Sequence, residues 1–192
     1  MAFKEPHFIH VILMRFATDV LARSIYKKRI ESLNLKGNER VLDFGSGPGA
    51  AAKYIAQELQ KGNGKLTCVD MSKVWMRIIK KRLGTFPNVE FKLGDISEID
   101  IDASSYDVIF INLVLHDVEK NIRQRTVNAL SRALKETWIL YIKEPTSKSH
   151  GMPTEEIRAL MTQGGLEEKH FTMDRSIAGP PGLKYSGEYS KL

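Results

Sequence analysis

The sequence contains one cysteine, Cys68, in 192 residues. An internal disulfide is therefore excluded, as is a metal site built on several thiolates. Cys68 lies in the apolar run Leu66-Thr-Cys-Val69 and reads as core filling in a protein of a reducing compartment. Long apolar runs are also missing. The richest stretch, Phe8 to Ala17, is interrupted by His10 and Arg15 and is half of the roughly 20 residues a membrane span requires. It lacks a signal-peptide cleavage pattern, so a cytoplasmic location is expected. Internal repeats, low-complexity tracts and linkers are absent, which predicts a single domain over residues 1–192, with residues 1–35 as lid helices within it. Acidic residues are outnumbered, 23 against 29 Lys and Arg, for a net charge of +6. That balance helps a protein approach phosphates, but no nucleic-acid-binding signature accompanies it, so nucleic acid is not the favoured partner.

What is present suffices for a sizeable core: 42% of residues are hydrophobic and 27% charged, which excludes a disordered chain. From Pro6 to Leu33 apolar residues recur at intervals of three and four, with a possible cap at Thr18 or Asp19, predicting one broken helix or two. After the turn Lys36-Gly-Asn38 the pattern changes to a short apolar strand, Arg40–Phe44, a glycine loop, and a helix over 50–59. Strands are predicted at 65–69, 89–93, 106–111 and 137–142, with helices at 72–83, 119–134 and 154–161. Fully apolar strands such as Val108-Ile-Phe-Ile111 alternating with helices argue for a parallel sheet covered on both faces. The end differs. Leu166–Met173 and Lys184–Leu192 read as strands joined by a turn around Gly179-Pro-Pro-Gly182, with no helix between them. The expected fold is a doubly wound, mostly parallel, seven-stranded α/β sheet closed by a C-terminal antiparallel hairpin.

A glycine loop between strand and helix lets the backbone approach a ligand and aims the helix N-terminus at its acceptor atoms. Gly45, Gly47 and Gly49 supply such a loop. The form G-x-G-x-x-A also fits a dinucleotide fingerprint, with Asp70 near the place of its ribose-binding acid. Asp43, two residues before the first glycine, separates the readings: a carboxylate there repels a pyrophosphate but suits an ammonium group. S-adenosylmethionine (SAM) carries that ammonium and NAD does not. Asp70 and Asp95 close the next two predicted strands, where ligands of open α/β sheets bind. One carboxylate suits the ribose diol and the other the exocyclic amine of adenine.

The segments Val-Leu-Asp-Phe-Gly-Ser-Gly-Pro-Gly, Cys-Val-Asp-Met-Ser, Gly-Asp-Ile and Tyr-Asp-Val-Ile-Phe-Ile-Asn resemble the successive motifs of class I SAM-dependent methyltransferases, over about Glu39 to Lys143. The resemblance implies that Asp43 with Gly45, Ser46 and Gly47 holds the methionine part and Asp70 the ribose. It further implies that Asp95 and Ile96 take the adenine, that Met71 packs on its ring, and that Asn112 sits beside the sulfonium. The pattern is most similar to small-molecule enzymes of the quinone-biosynthesis type, so the expected partner is a small-molecule methyl acceptor. The chain lacks their capping insertion in Lys143 to Met152.

Methyl transfer is an in-line displacement that gains most from positioning the acceptor and excluding water. For a hydroxyl or thiol acceptor a base helps; His116 is the first candidate, ahead of Asp117 and Glu144. By resemblance the N-terminal helices form a lid, lined by Phe3, His7, Phe8 and Tyr26. His7 and His10 share a helical face but have no nearby third ligand, so no metal is expected. The Pro-Pro-Tyr sequence of amino-methylating DNA enzymes is missing after Asn112, and Cys68 is in the wrong strand for a cytosine-C5 nucleophile. The alternatives are an RNA or protein methyltransferase, an NAD-dependent oxidoreductase, and a non-catalytic SAM-binding module.

Overall fold

A computed structural model describes residues 5–147, 151–175 and 182–192. Among the described residues there are seven strands, mostly parallel, interleaved with α-helices. The predicted mixed α/β architecture with antiparallel C-terminal strands is therefore present. The chain divides into two compact units, Met1–Asp95 and Ile96–Leu192, taken in turn.

In the first unit α1 (Phe8–Phe16) continues through a π-helical turn (Ala17–Leu21) into α2 (Arg23–Ser32). The predicted break is thus a widening of the helix, made by the bond from Ala22 N to Ala17 O (2.9 Å), and neither Thr18 nor Asp19 acts as a cap there. Then follow β1 (Arg40–Phe44), α3 (Ala50–Leu59), β2 (Lys65–Asp70), α4 (Lys73–Leu83) and β3 (Val89–Leu93). Strands β3, β2 and β1 are parallel neighbours, with Phe44 opposite Val69 and Asp70 opposite Leu93. Their carboxyl ends are therefore level. Val41, Leu42, Leu66, Cys68 and Val69 are fully buried, as the uninterrupted apolar strands require, and α3 and α4 both pack against β2. Ser72 caps α4 by accepting from Trp75 N at 3.0 Å, and Lys80, Lys81 and Arg82 complement the negative end of its dipole.

The second unit contains β4 (Tyr106–Asn112), a 3₁₀ turn (Leu115–Asp117), α5 (Arg123–Ala133), β5 (Leu134–Pro145), α6 (Thr154–Gln163), β6 (Leu166–Asp174) and β7 (Lys184–Lys191). Among the boundaries that differ from the sequence reading, two have a visible cause. Helix α5 starts at Arg123 rather than Glu119, because Arg123 turns back to bond the Val118 and His116 carbonyls. Strand β5 starts at Leu134, which pairs with Tyr106 before a bulge shifts the register to Val108 opposite Ile139. Strand β7 runs antiparallel to both β5 and β6, which is the expected hairpin. Most of its turn, Gly179-Pro-Pro181, lies outside the described residues.

Candidate active site

The first unit assembles its acids around the glycine loop. Gly45, Gly47 and Gly49 all have positive φ (68°, 51° and 77°), the left-handed region that favours glycine. At Gly49 there is a second reason. A Cβ there would lie 2.7 Å from Ile79 Cγ1, so the residue lets α4 approach the start of α3. The loop is pinned from below by Gly45 N and Ser46 N, which donate to Val69 O at 2.9 and 3.2 Å. From the side, Gly47 N donates to Asp70 Oδ2 at 2.8 Å. The other Asp70 oxygen accepts from Ser72 N, also at 2.8 Å. Asp70 thus joins two loops and keeps further lone pairs on both oxygens. Burial raises its carboxyl above the usual range despite these bonds.

Asp43 is different. It is 3% exposed, and its Oδ2 is buried without a hydrogen-bond partner among the described residues. Burial pushes its carboxyl up to about 7, with Ser46 opposing the rise and the Asp70 charge adding to it. A buried acid with one oxygen left unpartnered lacks a cation or a donor. The ammonium and amine groups of an amino-acid-bearing nucleoside are of that kind, so the residues present fit SAM.

Asp95 and Met71 also follow the carboxyl edge of this three-stranded sheet, Asp95 half-buried and Met71 exposed. Gly94 N donates to Asp70 O at 3.0 Å, which draws the approach to Asp95 toward the Asp70 turn. Ile96 opens the second unit and is buried.

Two contacts here were not read from the sequence. The Glu5 carboxylate accepts from Ser72 Oγ and from Lys73 N (2.8 Å), fastening the N-terminal arm to the start of α4. Arg82 lies 2.7 Å from Asp19 in the π-helical turn, an ionic approach without hydrogen-bond alignment, and donates to the Pro48 carbonyl of the glycine loop at 3.1 Å.

Of the expected lid residues, Phe3 lies outside the described residues, as do the side chains of Phe8 and His10. His7 is exposed and Tyr26 is buried with Arg29 over its ring. No group of three or more metal-ligating side chains occurs among the described residues.

In the second unit, Asn112 ends β4 half-buried and Leu113 follows at φ 59°, a strained value for a branched apolar residue. The strain is held by Leu113 N donating to Lys143 O at 2.8 Å. Beyond it, Glu144 is fully buried and accepts four hydrogen bonds, from Val114 N (3.0 Å), Leu115 N (2.7 Å), His116 N (3.4 Å) and His116 Nδ1 (2.6 Å). Arg123 closes the knot, donating to His116 O at 2.7 Å and to Glu156 Oε1 at 2.7 Å. Burial works against a charged His116 ring, but the Glu144 contact outweighs it and raises the pKa. Glu144 thus stands behind His116, holding the ring and its turn, while exposed Asp117 approaches Nε2 at 3.5 Å. Asn112, Lys143 and Ser186 lie side by side across β4, β5 and β7, and the buried Ser186 hydroxyl has no hydrogen-bond partner among the described residues.

A family model described as "Methyltransferase domain" matches residues 41–137, from β1 into β5 and about half of the chain. The chain belongs to this family, the SAM-dependent methyltransferases of class I. Within it, a ubiquinone/menaquinone biosynthesis C-methyltransferase of Campylobacter jejuni is 25% identical over 142 residues, covering 72% of this chain and 58% of that protein. A ribosomal RNA large subunit methyltransferase E of Treponema denticola is 27% identical over 162 residues, covering 81% of this chain and 75% of its own. A SAM-dependent methyltransferase structure from Aquifex aeolicus matches the fold with a TM-score of 0.75 at 16% identity, over 95% of this chain and 98% of that one. The matched methyltransferase region spans the glycine loop, all three acids and His116.

Proposed function

We propose that the chain, as a single catalytic domain, transfers the methyl group of SAM to a small-molecule acceptor. The orphaned, buried Asp43 carboxylate beside the glycine loop carries this reading. It calls for a cation at the place where the SAM ammonium would be held, and a pyrophosphate would be repelled there. SAM, when bound, supplies an electrophilic methyl on a sulfonium. The chain's part is to hold and orient it: Asp43 with Gly45, Ser46 and Gly47 at the methionine end, Asp70 at the ribose, Met71 and Asp95 at the adenine. The family resemblance extends this set to Ile96 and Asn112.

His116 is the base for an acceptor proton. With Nδ1 donating to Glu144, the basic nitrogen is Nε2, and the raised pKa makes it a stronger base. Cytoplasmic location accords with this role; among the described residues no helix is long and apolar enough to cross a membrane.

Likeness to a ribosomal RNA methyltransferase and the net charge of +6 support a second reading with RNA as acceptor. Calorimetric titration with SAM, S-adenosylhomocysteine and NAD tests the cofactor. Binding of the first two without the third is expected, and NAD binding without SAM binding reverses the assignment. Transfer of labelled methyl from SAM into the small-molecule fraction of a cell extract, rather than into its RNA or protein, tests the acceptor class.

A further inference from the structure

Helix α1 has His10 and Arg15 as its only polar residues and its described side chains are all apolar, a composition that calls for cover on more than one face. Only one side is covered. Val11, Thr18, Ala22, Tyr26 and Ile30 recur at helical spacing and are buried, forming the inward stripe of α1, the π-helical turn and α2. On the outward face Ile9, Leu13, Phe16 and Val20 are 71%, 62%, 58% and 59% exposed, and Ile12 joins them. Singly exposed apolar residues are ordinary, but five at successive helical spacing form a contiguous patch of the kind that marks an interaction surface. From Val20 the same face continues at intervals of four, three and four through Ser24, Lys27 and Glu31, with Lys28 and Arg23 beside it, and these polar residues are exposed. The outward surface is therefore apolar along α1 and cationic along α2. Lys27 lies 3.7 Å from the Glu31 carboxylate one turn on.

We propose that this face docks on an anionic lipid surface, with α1 lying in the interface and Arg23, Lys27 and Lys28 against the phosphates. Buried apolar area together with attraction to anionic headgroups is what holds interfacial helices. Charge complementarity selects this occupant over a second copy of the chain. A two-fold interface sets a patch against itself, and among the described residues this patch offers the cations of α2 no acid but Glu31. The proposal does not depend on which acceptor is methylated.

The test is co-sedimentation of the full chain with vesicles of equimolar phosphatidylglycerol and phosphatidylcholine, compared with vesicles of phosphatidylcholine alone. Strong binding to the first, weak binding to the second and release by salt are expected. The double variant Leu13→Glu/Phe16→Glu should bind at least about tenfold more weakly. Lys27→Glu/Lys28→Glu should lose about tenfold or more on anionic vesicles. Both pairs are exposed, so an unchanged thermal midpoint and unchanged SAM affinity are expected and separate a docking defect from a folding defect. Wild-type protein left in the supernatant overturns the proposal, and so does a Leu13→Glu/Phe16→Glu variant that binds as the wild type does. A wild-type dimer that the same variant dissociates, without vesicle binding, assigns the face to a second copy instead.

Discussion

Asp43 and Glu144 are both buried carboxylates near the carboxyl ends of parallel strands, and they are satisfied in opposite ways. Glu144 accepts four hydrogen bonds from the turn that follows β4. Asp43 keeps an oxygen with no partner among the described residues. Leaving a buried polar atom unmade is expensive, so a protein retains one where a ligand completes it. Removing the saturated acid should therefore damage the fold, and removing the orphaned one should damage binding while sparing the fold. This contrast can be broken by experiment.

The largest effect is expected at Glu144. Glu144→Ala strands three backbone amides and the His116 ring, and should lower the unfolding free energy by about 3–5 kcal/mol in denaturant titration. Glu144→Gln keeps one acceptor oxygen and should fall between that variant and the wild type. The His116 part of this stabilisation has a pH signature. Because the folded pKa of His116 is raised, its contribution is complete below the unfolded pKa and is lost as pH rises through the folded value. A loss below about 1 kcal/mol for Glu144→Ala would remove the distinction between the two acids.

Asp43 should show the reverse pattern. Its folded carboxyl titrates near 7 and its unfolded one near 3.8, so the folded state binds the proton more tightly in that window. The Asp43 contribution to stability therefore falls as pH rises from about 4 to about 7, by an upper limit on the order of 4 kcal/mol. Asp43→Asn removes this penalty, becoming more stable than wild type at pH above about 7 and similar to it below about 4. SAM affinity should move oppositely. The wild type should bind more tightly as pH rises toward the pKa, by at most about tenfold per pH unit, whereas Asp43→Asn should bind weakly with little pH dependence. Calorimetry across that range reads both signs, and a wild-type affinity that does not vary with pH would argue against the ammonium contact.

Much of this was open to sequence reading, for identifiable reasons. The strands that lead to Asp43, Asp70 and Asp95 follow from apolar runs stopped by acids and glycines, patterns that local chemistry sets. Long-range contacts set the rest. Glu144 was a candidate base on its position after a strand, and its role as the anchor of His116 depends on partners 28 to 30 residues away. Glu5 reaches Ser72 across 67 positions, and nothing around either residue announces it. The π-helical turn was visible only as an irregularity in the apolar spacing, and the strained Leu113 carries no sequence mark because its φ is imposed by Lys143.

Asp70 should give an intermediate effect, since it is tied both to the loop amides and, in the proposed role, to the ribose. Asp70→Ala should weaken SAM several-fold or more by calorimetry, and the lost bonds to Gly47 N and Ser72 N should lower stability by about 1–3 kcal/mol. Asp70→Asn keeps one oxygen, so it should recover part of the stability while still binding SAM poorly. If both variants bound SAM as tightly as the wild type and differed from it only in stability, Asp70 would belong with Glu144 as an architectural acid.

The smallest effect is expected at Arg82, which touches the loop from outside. Its guanidinium joins Asp19 in the N-terminal arm to the Pro48 carbonyl, so Arg82→Met should release the arm and soften the loop together. A partly exposed pair of this kind contributes only about 0.5–1.5 kcal/mol, hence a loss in SAM affinity of a few-fold. The comparison lies in how the loss arises. Asp19→Asn keeps the hydrogen bond from Arg82 to Pro48, so it should loosen the arm, read as faster proteolysis within residues 5–21, with SAM affinity near the wild-type value. Arg82→Lys restores the charge opposite Asp19 but not the fork that also reaches Pro48, and should rescue the arm more than the affinity. If Asp19→Asn weakened SAM as much as Arg82→Met does, the arm itself would be part of the cofactor site, and the orphaned acid would not be the only feature of this unit built around a ligand.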